Sequence, residues 1–457
     1  MSGQAAATVS RKGSAAHPFR ADLVELARLA GPVVAARLGI MTMGITDAVV
    51  VGRYSAVQLG YHAMAWAVLS SVLGSALGLL SGVQVMASRA IGEGKPANAG
   101  AALRRGVVYG LWIGAGTGLV AGFGGPWLLA HLGLSGGLAR GATAPLRVFA
   151  ISMPSFAVSV AAASWLEGLG RPTPAMVLMW IANLANLAID LVLVPGHPGI
   201  PALGAVGAAI ATCSSRSFLA IATLAYVATM RDARSLGVFA RPPRSRALEI
   251  EQRRIGFGAG ASNFFEMASF SSMNLIAGWI SALAVAGWAV MLNTVALVFM
   301  VPLGLSTATA VMVGRAYGAR DPAAMRRAAV LGYGVTAAFG LLAALVVWPN
   351  ASAISHLYTT DASTVALATG ALALACLFFP PDALQVVAAQ SLRARGDVLV
   401  PTCTHLASYV LVMVPLAYLF AIPLHLGLIG IVWAVIIASY ISAGLLLGRF
   451  WMLGRAG

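Results

Sequence analysis

Four carboxylates, Asp47, Asp190, Glu266 and Asp382, lie inside long apolar runs of the chain. At the centre of a membrane-spanning helix an ionised side chain costs about 2.5–3.5 kcal/mol on insertion scales, so acids in such places need a partner. No lysine lies in these runs, and Arg37 and Arg216 are the basic candidates within them to pair with the acids. The surplus of acids points to mobile cations, either protons carried by the carboxylates or Na+ bound between them. For any single residue the alternative is a carboxyl held protonated and bonded to backbone. Asn186 lies four residues before Asp190, on the same helix face, and Thr212 in the next run adds a hydroxyl. Carboxylate, amide and hydroxyl oxygens together suit a hard cation, so Na+ is the metal expected at Asp47, Asn186 and Asp190. Pro380 and Pro381 directly precede Asp382, and Pro32 lies upstream of Asp47 in the first run. Proline removes ladder donors and bends helices, and bends are expected at all three.

The elements that carry these residues follow from composition. Of 457 residues, 59% are hydrophobic and 9% charged, against about 25% charged in a soluble globular domain. That balance excludes a water-soluble enzyme or a nucleic-acid binder, and the net charge of +15 resides in arginines between apolar runs. A helical span takes about 20 mostly apolar residues. Twelve runs satisfy this, near 26–51, 59–88, 105–130, 143–167, 173–195, 203–229, 255–280, 284–313, 329–350, 363–392, 398–421 and 428–450. Basic residues crowd alternate loops: Arg89, Lys95, Arg104 and Arg105 in the second, seven arginines between Arg231 and Arg254 in the sixth, Arg315, Arg320, Arg326 and Arg327 in the eighth. This positive-inside asymmetry puts both termini in the cytoplasm and requires an even span count. The expected organisation is a disordered cytoplasmic tail over 1–21, a six-helix lobe over 22–230, a solvated cytoplasmic linker over 231–254, a second six-helix lobe over 255–450 and a cytoplasmic tail over 451–457.

The chain repeats itself at an offset of 226 residues. Gly52 pairs with Gly278, Ser55 with Ser281, Arg89 with Arg315, Pro96 with Pro322, Pro154 with Pro380 and Gly170 with Gly396. After a three-residue gap, Leu203-Gly204 and Gly207 match Leu426-Gly427 and Gly430. Six spans per half is even, so the repeats are parallel, an arrangement of secondary transporters with the substrate site between halves near the midplane. None of the four acids has an acidic counterpart: Asp47 meets Met273, Asp190 meets Leu416, Glu266 meets Ile40 and Asp382 meets Phe156. The halves share a scaffold and differ in chemistry.

Cys213, Cys376 and Cys403 show no CxxC spacing and read as buried thiols. His62, His131, His197, His356, His405 and His425 lie near span ends or in external loops, and no site role is assigned to them. Trp165, Trp180, Phe264, Phe265, Trp288, Phe378 and Phe379 are read first as packing or interface anchors, and second as a wall for flat cations. The chain carries no Walker A motif, which excludes ATP-driven transport by this chain.

The sequence resembles the multidrug and toxic compound extrusion (MATE) family, and its NorM-type branch in particular. The likeness runs from Asp22 nearly to the end. It is carried by Thr46-Asp47 with Val51-Gly52, by Leu166-Glu167-Gly168-Leu169-Gly170-Arg171-Pro172, by Leu203-Gly204-Ala205-Val206-Gly207, by Asn263-Phe264-Phe265-Glu266, by Val301-Pro302-Leu303-Gly304-Leu305-Ser306 and by Asp382-Ala383-Leu384-Gln385. The resemblance implies an all-α membrane protein of twelve helices in two lobes forming a V. It also implies antiport of cationic or amphipathic organic compounds against Na+ or H+, with no other cofactor. By the same likeness Asp47, Asn186, Asp190 and Thr212 form the N-lobe cation site, and Glu266 and Asp382 the C-lobe site for cation or substrate. NorM-type chains often carry Tyr four residues before the tenth-span Asp; Phe378 stands there here, which weakens a C-lobe Na+ site. A monomer in the bacterial inner membrane, in contact with lipid and with no nucleic-acid partner, is expected. The rival reading is a lipid-linked oligosaccharide flippase of the same broader superfamily, which needs a strongly cationic cavity.

Overall fold

A computed structural model describes residues 18–131, 136–240 and 245–455. Ala, Gly, Leu and Val dominate the apolar runs, and a helix is the one open-chain form that satisfies every backbone group within lipid. Twelve helical units result. The first half holds α1 (Pro18–Tyr54), α2 (Ala56–Gly92), α3 (Ala97–His131), α4, α5 (Thr173–Leu193) and α6 (Ala205–Thr229). The second holds α7 (Arg246–Ile280), α8 (Ala282–Gly318), α9 (Pro322–Tyr358), α10, α11 (Leu399–Ala421) and α12 (Gly427–Arg455). Among the described residues nine helices are long and apolar enough to cross a membrane, and two bent pairs bring the number to 11. The twelfth unit, α7, is long enough but too polar, because Asn263, Glu266, Asn274 and several serines interrupt it; those residues face the protein's own interior sites.

The two bent units occupy equivalent places in the repeat. α4 breaks between α4a (Gly136–Ile151) and α4b (Met153–Gly168) with a 42° bend, and α10 between α10a (Ala362–Ala375) and α10b (Phe379–Ala394) with a 52° bend. Pro154 starts α4b; Pro380 and Pro381 start α10b, where a missing N–H costs little. The carbonyl of Leu377 freed at the second break accepts from the Tyr440 hydroxyl at 3.3 Å. Pro32 lies within α1 without interrupting it. Ser55 and Ser281 cap α2 and α8 in the same way, accepting from Gln58 N and Ala284 N. Each lobe packs around its own buried core, and the lobes meet along two equivalent seams, α2 against α7 and α1 against α8.

Three expected boundaries change. The first helix begins at Pro18, so the end of the supposed 1–21 tail is helical, while 1–17 lie outside the described residues. The last helix runs to Arg455 and takes in most of 451–457. The described part of the 231–254 segment is a solvated loop only in places: its end is the start of α7, and Ala233 and Leu236 are buried, while Arg231, Arg234 and Ser235 are exposed. The reason is that arginines bond its turn. Arg104 donates to the carbonyls of Gly237 and Val238 at 2.9 Å each, and Arg171 meets Asp232 at 2.7 Å, holding that carboxyl below its usual pKa. Arg241 and Arg244 lie outside the described residues.

The twelve-unit arrangement places the exposed residues Ser235 and Thr360 on opposite sides of the membrane. Single cysteines there, on a background lacking Cys213, Cys376 and Cys403, should label with an impermeant maleimide from opposite faces, Ser235 from the cytoplasm. Labelling of both from one face contradicts the span count.

Candidate functional site

The four N-lobe residues singled out in the sequence come together. Asp47 on α1, Asn186 and Asp190 on α5 and Thr212 on α6 are all 0% exposed. The Thr212 hydroxyl donates to Asp47 Oδ2 at 2.5 Å, and Asn186 and Asp190 are close neighbours of Asp47. Asp47 Oδ1, both Asp190 oxygens and both amide atoms of Asn186 have no partner. Two facing carboxylates have no donor between them, an arrangement that a shared proton or a bound monovalent cation would complete. His62 and Arg216 are electrostatic neighbours of Asp47, yet neither makes an ion pair with it among the described residues. The Arg216 guanidinium instead bonds Ser152 Oγ at 2.8 Å and lies over Phe156 and Trp66. No group of three His, Cys, Asp or Glu suited to a metal occurs among the described residues. The donors present fit a proton or a hard monovalent cation.

Glu266 and Asp382 form a second, separate site. Both line a cavity of about 490 Å³ between the lobes. Asp382 sits in the first turn of α10b, set there by Pro380 and Pro381, with its Oδ1 unpartnered. The cavity joins the halves through side chains: Gln84 donates to the Thr307 carbonyl at 3.0 Å and Asn263 to the Gly74 carbonyl at 3.2 Å.

Several residues here escaped the sequence reading. Arg393, placed there in a basic loop, is 2% exposed within α10b and lines the cavity. It is thus a buried arginine inside a span, as Arg216 is. Glu167, noted only within a motif, is buried and pairs with Arg37 at 3.7 Å. His405, set near a span end, is buried in the cavity wall with neither ring nitrogen bonded, and His62 is buried beside the N-lobe cluster. Of the seven aromatic candidates, Trp165, Trp288, Phe378 and Phe379 are core and Trp180 and Phe264 are exposed; Phe270 and Phe299 line the cavity instead.

On the arginine-rich face two reciprocal contacts tie the lobes together. Arg89 ends α2 and donates to Glu251 Oε1 at 2.5 Å and to the Ala394 and Arg393 carbonyls at 2.8 and 3.1 Å. Its repeat partner Arg315 ends α8 and donates to Glu25 Oε1 and to the Leu169 carbonyl, both at 2.8 Å. Glu25 and Glu251 are themselves 226 residues apart. The accepting carbonyls end α10b and α4b, where they lack intrahelical donors and where the helix dipole favours a cation. Gly92 and Gly318 make the approach possible, since a Cβ on either would meet the backbone of Arg315 or Arg89.

Comparison with known proteins agrees with this architecture. The MatE family model matches residues 32–192 and again 259–419, one match per lobe. The chain belongs to the MatE family. It is 56% identical over 436 residues to the "Probable multidrug resistance protein NorM" of Caulobacter vibrioides, covering 95% of this chain and 93% of that one. It is 30% identical to the "Multidrug resistance protein PmpM" of Pseudomonas aeruginosa, over 88% and 84% of the two chains. Among solved structures it is similar to the eukaryotic MATE transporter AtDTX14, with a TM-score of 0.87 at 20% identity over 95% and 96% of the chains. It is also similar to an outward-facing MATE family multidrug transporter, with a TM-score of 0.83 at 20% identity over the same shares. The fold is that of a multi-pass membrane protein, two parallel-repeat six-helix lobes forming a V.

Proposed function

We propose that the protein exports cationic or amphipathic organic compounds by antiport with Na+ or H+. The observation that carries this reading is the division of labour: a sealed N-lobe cluster of unpartnered acceptors, and a separate acid-lined cavity between the lobes. The multidrug-resistance names of the relatives support the same direction. Asp47, Asn186, Asp190 and Thr212 take the coupling ion; Glu266 and Asp382 face the substrate. The lobes rock about the cavity, and the Arg89 and Arg315 contacts close it on the cytoplasmic side. Both termini lie in the cytoplasm, the membrane is the bacterial inner membrane, and the working unit is a monomer in lipid. A flippase for pyrophosphate-linked sugars fits less well, because Arg37 is neutralised by Glu167 and the cavity wall carries two acids beside its one unpaired arginine, Arg393, and so is not strongly cationic.

Purified protein in liposomes, with Na+ and pH gradients imposed separately, tests the reading. An added organic cation should accelerate dissipation of one gradient and move against it. Gradients that decay at the same rate with and without every cation tried contradict antiport. In the same system Glu266→Gln and Asp382→Asn should weaken binding of the organic cation by about tenfold each, the scale of one lost charge-assisted contact, while ion binding at the N-lobe cluster persists. Unchanged cation affinity in both variants removes them from the substrate site.

A further inference from the structure

Arg393 presents a charge that the protein leaves unanswered. The side chain is 2% exposed. Its Nη1 makes one long contact, 3.4 Å to Gln390 Oε1, and its Nε and Nη2 are buried with no acceptor. Glu266 is an electrostatic neighbour, but no ion pair joins the two among the described residues. The repeat explains what is missing. Arg393 occupies the place that Glu167 has in the first half, and Glu167 is answered by Arg37. The position equivalent to Arg37 is Asn263, an uncharged side chain whose amide is spent on the Gly74 carbonyl. At these two positions the second lobe therefore has a fixed charge without its fixed counter-charge. The cavity side of α10b runs from Asp382 through Val386, Ala389 and Gln390 to Arg393, about 16 Å of helix rise, with Asp382 at one end, the guanidinium at the other and Glu266 on the facing helix α7. The Arg393 carbonyl is bonded by Arg89, which seats the residue where the cavity closes.

We infer that Arg393 is an anion subsite of the interlobe cavity, seating the carboxylate of an amphoteric substrate whose ammonium end lies toward Glu266 and Asp382. The planar guanidinium fork, with its Nε and Nη2 both free, matches a carboxylate in bidentate fashion, and a cavity of about 490 Å³ is of the size that holds a drug-like molecule. The inference rests on the efflux reading and narrows its substrate class: compounds carrying both charges are held better than simple cations.

The test is equilibrium binding to purified protein at pH 8 of a fluorescent acridine bearing one alkylammonium arm and one carboxylate arm, set against its methyl ester. In the wild type the acid should bind at least about tenfold more tightly than the ester, the scale of a charge-assisted pair. Arg393→Gln should bring the acid to the ester's affinity and leave the ester within about twofold, and Arg393→Lys should restore part of the preference. An ester bound as tightly as the acid by the wild type overturns the subsite, and that comparison decides even where a variant does not assemble. Equal loss of both compounds in an assembled Arg393→Gln protein overturns it as well. Liposome transport separates the two levels. Export of an ester that binds as well as the acid rejects the subsite and leaves efflux standing. Tighter binding of the acid, with neither compound moved by any gradient, upholds the subsite and rejects efflux.

Discussion

Replacing Asp47 or Asp190 with asparagine should leave the protein in the membrane and reduce ion-driven efflux to the passive leak. The two carboxylates are wholly buried and face one another without a donor between them; Thr212 bonds Asp47, and neither oxygen of Asp190 has a partner. On the proposed reading, an exchangeable cation holds such a pair together. Asparagine keeps the shape and a single carbonyl acceptor, but it neither carries a proton nor supplies negative charge to Na+. Removing one member of a buried charged set often destabilises a protein, by about 3–5 kcal/mol where a fixed opposite charge is stranded. Here no fixed cation is bonded to either acid, so the amide relieves a like-charge contact and stability should be kept or raised. Thermal unfolding of the purified variants, read beside gradient-driven export of an organic cation, checks both halves of the expectation. Normal export by both variants reduces the cluster to a structural role.

The second large effect concerns the closed, arginine-rich face. Truncating both Arg89 and Arg315 to alanine should open it. Each arginine makes bonds to a glutamate and to helix-end carbonyls of the opposite lobe. The glutamates are substantially exposed, at 42% and 44% of their side chains, while Arg89 and Arg315 are 5% and 26% exposed. The ion pairs are therefore screened and add little; the charge-assisted bonds to the carbonyls carry the closure, at about 1.5–3 kcal/mol per arginine. Loss of both should shift the equilibrium toward the open face by roughly tenfold to a hundredfold per site, whereas Glu25→Gln with Glu251→Gln should shift it far less. Spin labels at Lys95 and Arg320, one from each lobe and both exposed, report the separation. A longer distance population in Arg89→Ala/Arg315→Ala, absent from the glutamine pair, is the expected result. Identical distance distributions in all three proteins would show that other contacts close the face.

The N-lobe cluster was legible in the sequence because an acid in an apolar run has one plausible environment, and because Asn186 and Asp190 share a helix face by spacing alone. The span count, the lobes and the repeat were legible for similar reasons of periodicity and charge. Arg393 was not: three residues before Gly396 and next but one to Arg395, it reads as another loop arginine. What draws it inward is the 52° break that starts α10b at Phe379 and carries the helix to Ala394, a tertiary feature no local pattern encodes. The signal that does reach it is the repeat, which sets Arg393 against Glu167 and Glu25 against Glu251; equivalent positions with charged residues in both halves mark functional contacts here more sharply than either half alone. His405 was misplaced for the same reason as Arg393, since a span boundary drawn from hydropathy leaves its terminal turns looking exposed. The linker was misread in part because Arg104 and Arg171, which lie outside it, bond its turn.

The antiport reading stands or falls on whether ion and substrate oppose each other. Each must bias one inward–outward equilibrium in opposite directions, through different affinities for the two states, and the resulting coupling is reciprocal. Equilibrium binding of an organic cation, measured across Na+ concentration and pH on wild-type protein and on Asp47→Asn, is the direct measurement. Filling the N-lobe site should weaken cation binding by roughly 5–150-fold, the scale of typical coupling energies, and Asp47→Asn should erase that dependence while leaving the cavity able to bind. A wild-type affinity indifferent to both Na+ and pH would contradict antiport at its root.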